Sequence, residues 1–478
     1  MKKLIYILFS IILAVTHSYS QGGFKRQFKL PFSKNNSTQA VFETTPNNYI
    51  MCGLVVDTLN NYQTNRLTLV GLNSQGQPQW VKKYGNKKFE YLDNTIITKW
   101  FYKQGNYLYH AGCVRDSNNK QLGVFIKFNF NGDTLWQKRF YEAGYDVIPQ
   151  QVIGSADGGF LITGWFQNVT TSPVLIIKTD ANGNELWRKM INKAVPNTQD
   201  AKVIVQDSAT KKIVTVGYQY IGNANAFAGY ANILITDSLG NKLSQVTYPS
   251  GIEGVLRDVI QTQDKKFVAI GNVKTPLLIG ALETYKSYIV KFDINAPNTP
   301  IWQKQIDIAS PNNGFNTIKE LSNGDLIVGG VLDTNLQHNL NYNNLNRLIR
   351  MDKNGNELWK KYYNYQTNAP AYNIQDMLSL NLTLDGSFIV AINSYNNPNP
   401  NPFFVVKYDS TGCDSSAFYC STVGIKENSF LSEVVKVYPN PTNGILNIEV
   451  ENANKIKVVN VLGELVKHED LKIGRAHV

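Results

Sequence analysis

A single unit recurs along this chain, and a repeat of its length restricts the fold more than any other feature of the sequence. The copies read LVGLNSQGQPQWVKKY, FIKFNFNGDTLWQKRF, LIIKTDANGNELWRKM, ILITDSLGNKLSQVTY, IVKFDINAPNTPIWQKQI and LIRMDKNGNELWKKYY. A seventh, FVVKYDSTGCD, stops after its turn. The repeat tryptophans Trp80, Trp136, Trp187, Trp302 and Trp359, with Ser244 in the fourth place, stand 56, 51, 57, 58 and 57 residues apart. A second landmark, Gly53, Gly112, Gly164, Gly217, Gly271 and Gly330 with Ile392 in the seventh copy, ends another apolar run in each unit.

Runs such as GGFLITG and KKIVTVG are about five residues long and bounded by Gly, Asp, Asn or Lys, as short strands are. Helical spacing is sustained nowhere. Each unit therefore holds four antiparallel strands, A to D, with tryptophan near the start of D. Strands B and C are apolar on both faces, which requires cover on both sides and is met by stacking the sheets radially. The sequence predicts an all-β chain: a seven-bladed β-propeller of four-stranded antiparallel blades. The seventh copy lacks strand D, but FKRQF at Phe24 matches WQKRF, so Phe24 to Leu30 is expected to complete the last blade and close the ring.

The formal net charge of +11 would suggest an anionic partner if the basic residues clustered. Instead the pairs Lys82-Lys83, Lys138-Arg139, Arg188-Lys189 and Lys360-Lys361 follow the repeat position on each outer strand. There they guard an open sheet edge, and no nucleic-acid partner is implied. At the amino end, Lys2 and Lys3 precede a 12-residue apolar run and the triplet Ser18-Tyr19-Ser20, which reads as a secretory signal over 1–20. No segment reaches the ~20 apolar residues of a membrane helix, so the mature chain is expected without one and as a monomer. Cys413 and Cys420 are close enough in sequence for a local disulfide, whereas Cys52 and Cys113 read as buried thiols.

After the propeller, assigned to 21–420, and a linker over 421–435, the pattern changes. Tyr438-Pro439-Asn440-Pro441, Gly444, the strand Ile445 to Val450, and Val458 to Leu462 with Gly463 resemble the type A sorting domain of proteins exported by the type IX secretion system. The resemblance implies a small β-sandwich-like domain over 436–478, the type IX machinery as partner, and a secreted or outer-surface location reached through the periplasm. The family's later strands are not matched and Ile473 to Val478 reads as foreign, so the domain is expected to be truncated. The turn Lys178, Asp180, Gly183, Trp187 is similar to the tryptophan-docking repeat of quinoprotein propellers. That likeness supports the fold and implies no quinone here.

The search for chemistry is largely negative. Of five histidines only His110 and His338 fall in the propeller, which argues against a histidine triad or multi-histidine metal site. DANGNE and DKNGNE mimic half a calcium loop, but a hairpin turn with glycine in its left-handed position explains them. No metal or cofactor is expected. Asp93, Asp146, Asp200, Asp258 and Asp376 fall near inner-strand starts, where a pair at glycosidase separation would support hydrolysis.

The A–B and C–D connections are short and stereotyped, while the B–C and D–A connections at the other end vary, as in IGNANAFAGYAN and KTPLLIGALETYKS. Variable loops on a rigid scaffold are where binding concentrates. Tyr220, Phe227, Tyr230, Tyr285, Tyr342, Tyr363, Tyr365 and Tyr395 are the candidate ligand-binding residues. The chain is thus expected to be a non-enzymatic binding or scaffold module for a glycan or protein. The alternative is an extracellular polysaccharide hydrolase or lyase that uses the channel acids.

Overall fold

In the computed structural model the described residues are 23–58, 63–86, 88–92, 99–192, 199–223, 226–279, 282–333, 344–365, 373–396, 401–414 and, in the tail, 436–438, 447–449, 455–459, 465–470 and 476–477. All regular structure among them is β. The chain divides into two compact units, 1–416 and 417–478.

The first unit holds seven antiparallel sheets, the blades 33–84, 89–140, 146–191, 199–247, 254–310, 313–363 and 373–408. Each is laid down in sequence order from the inside out. Only the last borrows: Phe24–Phe28 pairs with Phe403–Tyr408, Phe24 opposite Lys407 and Phe28 opposite Phe403, and so supplies the outer strand of blade 7. The inner strands adjoin one another in order and the seventh adjoins the first, so the blades close a ring around an axial channel.

Seven apolar clusters fill the seven gaps between blades. Along one strand, successive residues serve opposite gaps. Ile233 and Ile235 pack toward blade 5 while Leu234 packs toward blade 3. That is why the middle strands are apolar without alternation.

Six of the seven inner strands carry an extra residue at the same level, opposite the landmark glycine or, in blade 7, Ile392. The bulged residues are Gln39, Gln150, Lys202, Arg257, Asn316 and Leu378. Where Gly271 passes this bulge, a β-carbon would lie 2.9 Å from Leu256 Cα and closer still to the Val255 carbonyl oxygen, so only glycine fits there. Blade 2 departs from the four-strand expectation. Its inner strand is split at this level into Phe89–Tyr91 and Phe101–Gln104, with 93–98 outside the described residues.

The C–D turns repeat one device. In blade 3, Asp180 Oδ1 accepts the N–H groups of Asn182 at 2.9 Å and Asn184 at 2.8 Å, and Gly183 adopts φ +76°. A β-carbon on Gly183 would lie 2.6 Å from the ring of Trp136, which reaches over from blade 2. The same contact joins Trp80 to Gly132, Trp187 to Gly240, Trp302 to Gly355 and Trp359 to Gly412, and Phe24 takes the place of tryptophan on Gly76. Between blades 4 and 5 both halves are missing together: Ser244 replaces tryptophan, and the following turn, DINAPN, has no glycine. There the Tyr248 hydroxyl donates to the Pro297 carbonyl instead.

The basic pairs do more than guard an edge. Lys138 donates to Asn184 Oδ1 at 2.8 Å, Lys189 to Asn241 Oδ1 at 2.9 Å and Lys304 to the Gly355 carbonyl at 2.7 Å, each stapling its blade to the next turn.

Cys52 and Cys113 are free and buried, and Cys413 is disulfide-bonded. Its expected partner, Cys420, lies outside the described residues.

In the second unit, Lys436–Tyr438, Asn447–Glu449 and Ala476–His477 form one small sheet, and Lys455–Val459 with Leu465–Asp470 forms a hairpin. Of the sorting-motif residues, Tyr438 lies in the first of these strands. Pro439, Asn440, Pro441, Gly444 and Gly463 lie outside the described residues, as does the signal segment 1–20.

Candidate functional site

On the loop end, blades 4 and 5 are unlike the others. In blade 4 the strands Ile213–Asn223 and Ala226–Thr236 pair along their whole length. The inner strand reaches only to Gln219 and the outer strand only to Asn232, so a two-stranded ribbon stands clear of the sheet. Blade 5 repeats this with Phe267–Ile279 and Leu282–Phe292, whose inner-strand pairing ends at Val273. Leu277 and Leu278 near its tip are exposed.

Three of the candidate aromatics sit on these ribbons. Tyr220 is half-buried and meets Tyr218 edge to face at 4.9 Å between ring centres. Tyr230 forms an isolated antiparallel bridge to Glu253 at the entry to blade 5, which ties one ribbon to the other blade. Glu253 pairs with Lys274 at 3.1 Å, Lys274 with Glu283 at 2.6 Å, and the Tyr285 hydroxyl donates to Glu283 Oε2 at 2.7 Å. The Lys274 hydrogen bond holds the Glu283 carboxyl below its usual range, and burial with help from Glu283 pushes the Tyr285 phenol up to about 12. Lys274 and Glu283 keep their charge and Tyr285 its neutrality through the physiological range. They fix the ribbon bases and leave aromatic faces beside them.

Two candidates are not at this surface. Tyr363 and Tyr365 are each 7% exposed and belong to the packing between blades 6 and 7. The Tyr363 hydroxyl donates to the Gly412 carbonyl, and the Tyr365 hydroxyl bonds Asp414 at 2.9 Å and Tyr408 at 2.7 Å. Their position at the end of an outer strand resembles a loop in the sequence, but the rings point back toward the next blade's turn. Tyr342 lies outside the described residues, and so do the side chains of Phe227 and Tyr395.

Among the described residues, the channel acids do not form a ring. Asp146 accepts the Gln121 N–H at 3.1 Å and thereby clasps blade 2. Asp258 is spent: it accepts the N–H groups of Val259 at 2.8 Å and Ile318 at 2.9 Å and pairs with Lys99. Lys99 leans on the inner strand of blade 3, its N–H donating to the Gln150 carbonyl at 3.2 Å, so its side chain crosses the axial channel to blade 5. Of the three described, Asp376 differs. It is buried, burial outweighs the opposing charge of Arg257, and its pKa rises to about 6. Asp93 and the Asp200 side chain lie outside the described residues, as does His338.

His110 is a core residue packed among the rings of Tyr91, Trp100 and Phe101. Both its ring nitrogens are buried without a partner, and burial lowers its pKa to about 3. It stays neutral and takes no part in a site.

The residues that sequence reasoning missed are Lys99, Arg257 and the Glu253–Lys274–Glu283 chain. Arg257 occupies the bulge position where other blades carry Gln39, Gln150 or Asn316. An alignment of the copies on their glycine landmarks would have exposed it, with Lys202, as one of two cations in a mostly polar set.

Residues 436–477 match the secretion-system C-terminal sorting domain, which marks the chain as cargo of the type IX route to the outer cell surface. No curated protein matches the sequence. Among solved structures, the chain is similar to the β-propeller domain of the Trilobed protease from Pyrococcus furiosus, at 10% identity over 82% of this chain and 100% of that one, with a TM-score of 0.44. It is also similar to the α-L-arabinofuranosidase of Fusarium graminearum in complex with arabinobiose, at 9% identity over 82% and 98%, TM-score 0.44. A polysaccharide lyase, an ulvan lyase, follows at 10% identity over 65% and 83%, TM-score 0.35. No helix among the described residues is long and apolar enough to cross a membrane.

Proposed function

We propose that this chain is a non-enzymatic binding module that carries its propeller outside the cell and takes a glycan on the loop end of blades 4 and 5. One observation carries the reading: two ribbons rise from neighbouring blades, Tyr220 and Tyr230 on one and Tyr285 on the other, with the Glu253–Lys274–Glu283 chain at their bases. Flat rings beside fixed polar groups suit a sugar, which offers apolar faces and a rim of hydroxyls. The sorting tail supports the setting, since it delivers the propeller to where polysaccharides are met.

The second reading is hydrolysis or lysis by channel acids. The raised pKa of Asp376 favours it, but a two-carboxylate mechanism needs a partner about 5–10 Å away. Asp258 and Asp146 are committed to other bonds.

The test is a glycan screen of the purified chain beside the triple variant Tyr220→Ala, Tyr230→Ala, Tyr285→Ala. The variant should lose at least tenfold in affinity while melting as the parent does. Equal binding by both would reject this face, and turnover of a bound polysaccharide that Asp376→Asn abolishes would favour the second reading.

A further inference from the structure

Where the loop end meets the channel, an arginine and an acid of opposite charge stand near each other without pairing. Arg257 sits at the bulge of the blade 5 inner strand, and its guanidinium lies over the backbone of Gly314 in blade 6, touching the place a β-carbon would take. Its one hydrogen bond among the described residues runs from Nη1 to Asn316 Oδ1 at 3.1 Å. A guanidinium has five N–H groups and cannot shed its proton in a protein, so most of the fork is left to meet something else. The Tyr285 hydroxyl and this guanidinium interact electrostatically, which places the ribbon aromatic close by.

Asp376, on the inner strand of blade 7, is the acid whose charge acts on Arg257. Its Oδ1 is sealed without a partner, which leaves Oδ2 to meet whatever enters. Asn316 holds the two charges apart: it accepts from Arg257 and donates through Nδ2 to the Met377 carbonyl at 3.0 Å. Left alone, a buried carboxylate and a guanidinium gain from closing on each other, so a gap kept open by an asparagine is a place built for a third party.

The seat is rigid. Arg347, fully buried, pairs with Asp307 and donates to Asn313 Oδ1 at 2.8 Å, and Asn272 Nδ2 donates to the Asn313 carbonyl at 3.2 Å. These bonds anchor the strand that offers Gly314 to the guanidinium. Below, the Lys99–Asp258 pair crosses the channel.

We propose that Arg257 and Asp376 form a subsite for the acidic sugar of a uronate-bearing glycan, the sugar carboxylate on the Arg257 fork and a ring hydroxyl donating to Asp376. A planar fork matches a carboxylate in bidentate fashion, and an acceptor-only oxygen beside it suits a hydroxyl on the same ring. The inference rests on the reading that the loop end binds a glycan, and it names which kind.

The experiment measures the affinity of the full chain for oligomers of galacturonate, mannuronate and glucuronate, each beside its carboxyl-reduced counterpart. Wild type should bind at least one oligouronate tenfold or more tighter than the reduced form. Arg257→Met should erase that preference while binding the reduced form as before, Arg257→Lys should keep part of it, and Tyr285→Ala should weaken both forms together. Glycan binding with no preference for the acid, or a preference that survives in Arg257→Met, would overturn the subsite and leave the loop-end reading standing. Failure to bind any member of the panel in either form would overturn both. Melting curves of each variant separate loss of the subsite from loss of the fold.

Discussion

At one end of the wheel, where the A–B and C–D turns lie, most blades are fastened to their neighbours by the same few bonds. At the other end the blades are free to differ. The turn end carries the tryptophan-on-glycine contacts and a belt of carboxylates and amides that reach across to the next A–B turn. Glu43 accepts the Leu384 N–H at 2.6 Å, Gln206 that of Ala156 at 2.9 Å, Gln261 that of Ser208 at 2.9 Å and Glu320 that of Gln263 at 2.9 Å. The loop end has the two ribbons, the unpaired Arg257 and the sealed Asp376. Stability is concentrated where the sequence repeats and the proposed recognition lies where it does not, because a contact used between six of the seven pairs of blades constrains those segments alike.

This contrast is open to direct attack. The largest effect belongs to ring closure. Phe24→Ala removes a ring that packs against Tyr49 at 5.6 Å between centres and covers Gly76, and should cost about 3–5 kcal/mol of stability in a denaturant melt. A loss below about 1 kcal/mol would show that closure by the amino-terminal strand matters little. Next, Gly183→Val forces a branched residue into φ +76° against the Trp136 ring and should cost about 2–4 kcal/mol. Tyr220→Ala at the loop end should cost no more than about 1 kcal/mol. Comparable losses from the two would erase the distinction.

The two ends also titrate with opposite sign. Asp376 has its pKa raised to about 6 while an unfolded chain titrates near 4, so the folded state binds more protons between these values. Its stability therefore falls as pH rises through that window, by about 2–3 kcal/mol, and Asp376→Asn should flatten that stretch of the profile. Asp385, in an A–B turn, behaves the other way. Burial opposes its charge, but Lys407 at 2.6 Å, Thr383 and the Ser387 N–H outweigh it and bring its pKa down to about 2. Its stabilisation is full above pH 4 and is lost as pH falls through 2. Asp385→Asn should remove the acid limb while leaving the fall between pH 4 and 6 untouched. The smallest effect is expected at the rim, where Lys138→Ala breaks an exposed bond to Asn184 and should shift stability by less than about 0.5 kcal/mol.

Much of the architecture was legible because its signals are local. Asp180, Gly183 and Trp187 lie within eight positions and recur, so turn, strand and blade count follow from the sequence alone. FKRQF at Phe24 was readable for the same reason, although the strand ends at Phe28, two residues short of Leu30. The site was less legible. Tyr363 and Tyr365 stand in a variable stretch yet turn inward, since an outer-strand terminus borders both the loop and the next blade's packing. Lys99 reaches Asp258 across the channel, a contact between copies that are not neighbours, and no periodicity encodes it. The bulge that presents Arg257 depends on strand register, which one extra residue decides.

Hydrogen–deuterium exchange on the purified chain, with and without saturating oligouronate, tests the central claim most directly. The account predicts protection confined to 218–230 and 272–285 and to the strand around Arg257, with the turn at 180–184 exchanging as before. Protection over the C–D turns, or none on the two ribbons, would contradict it.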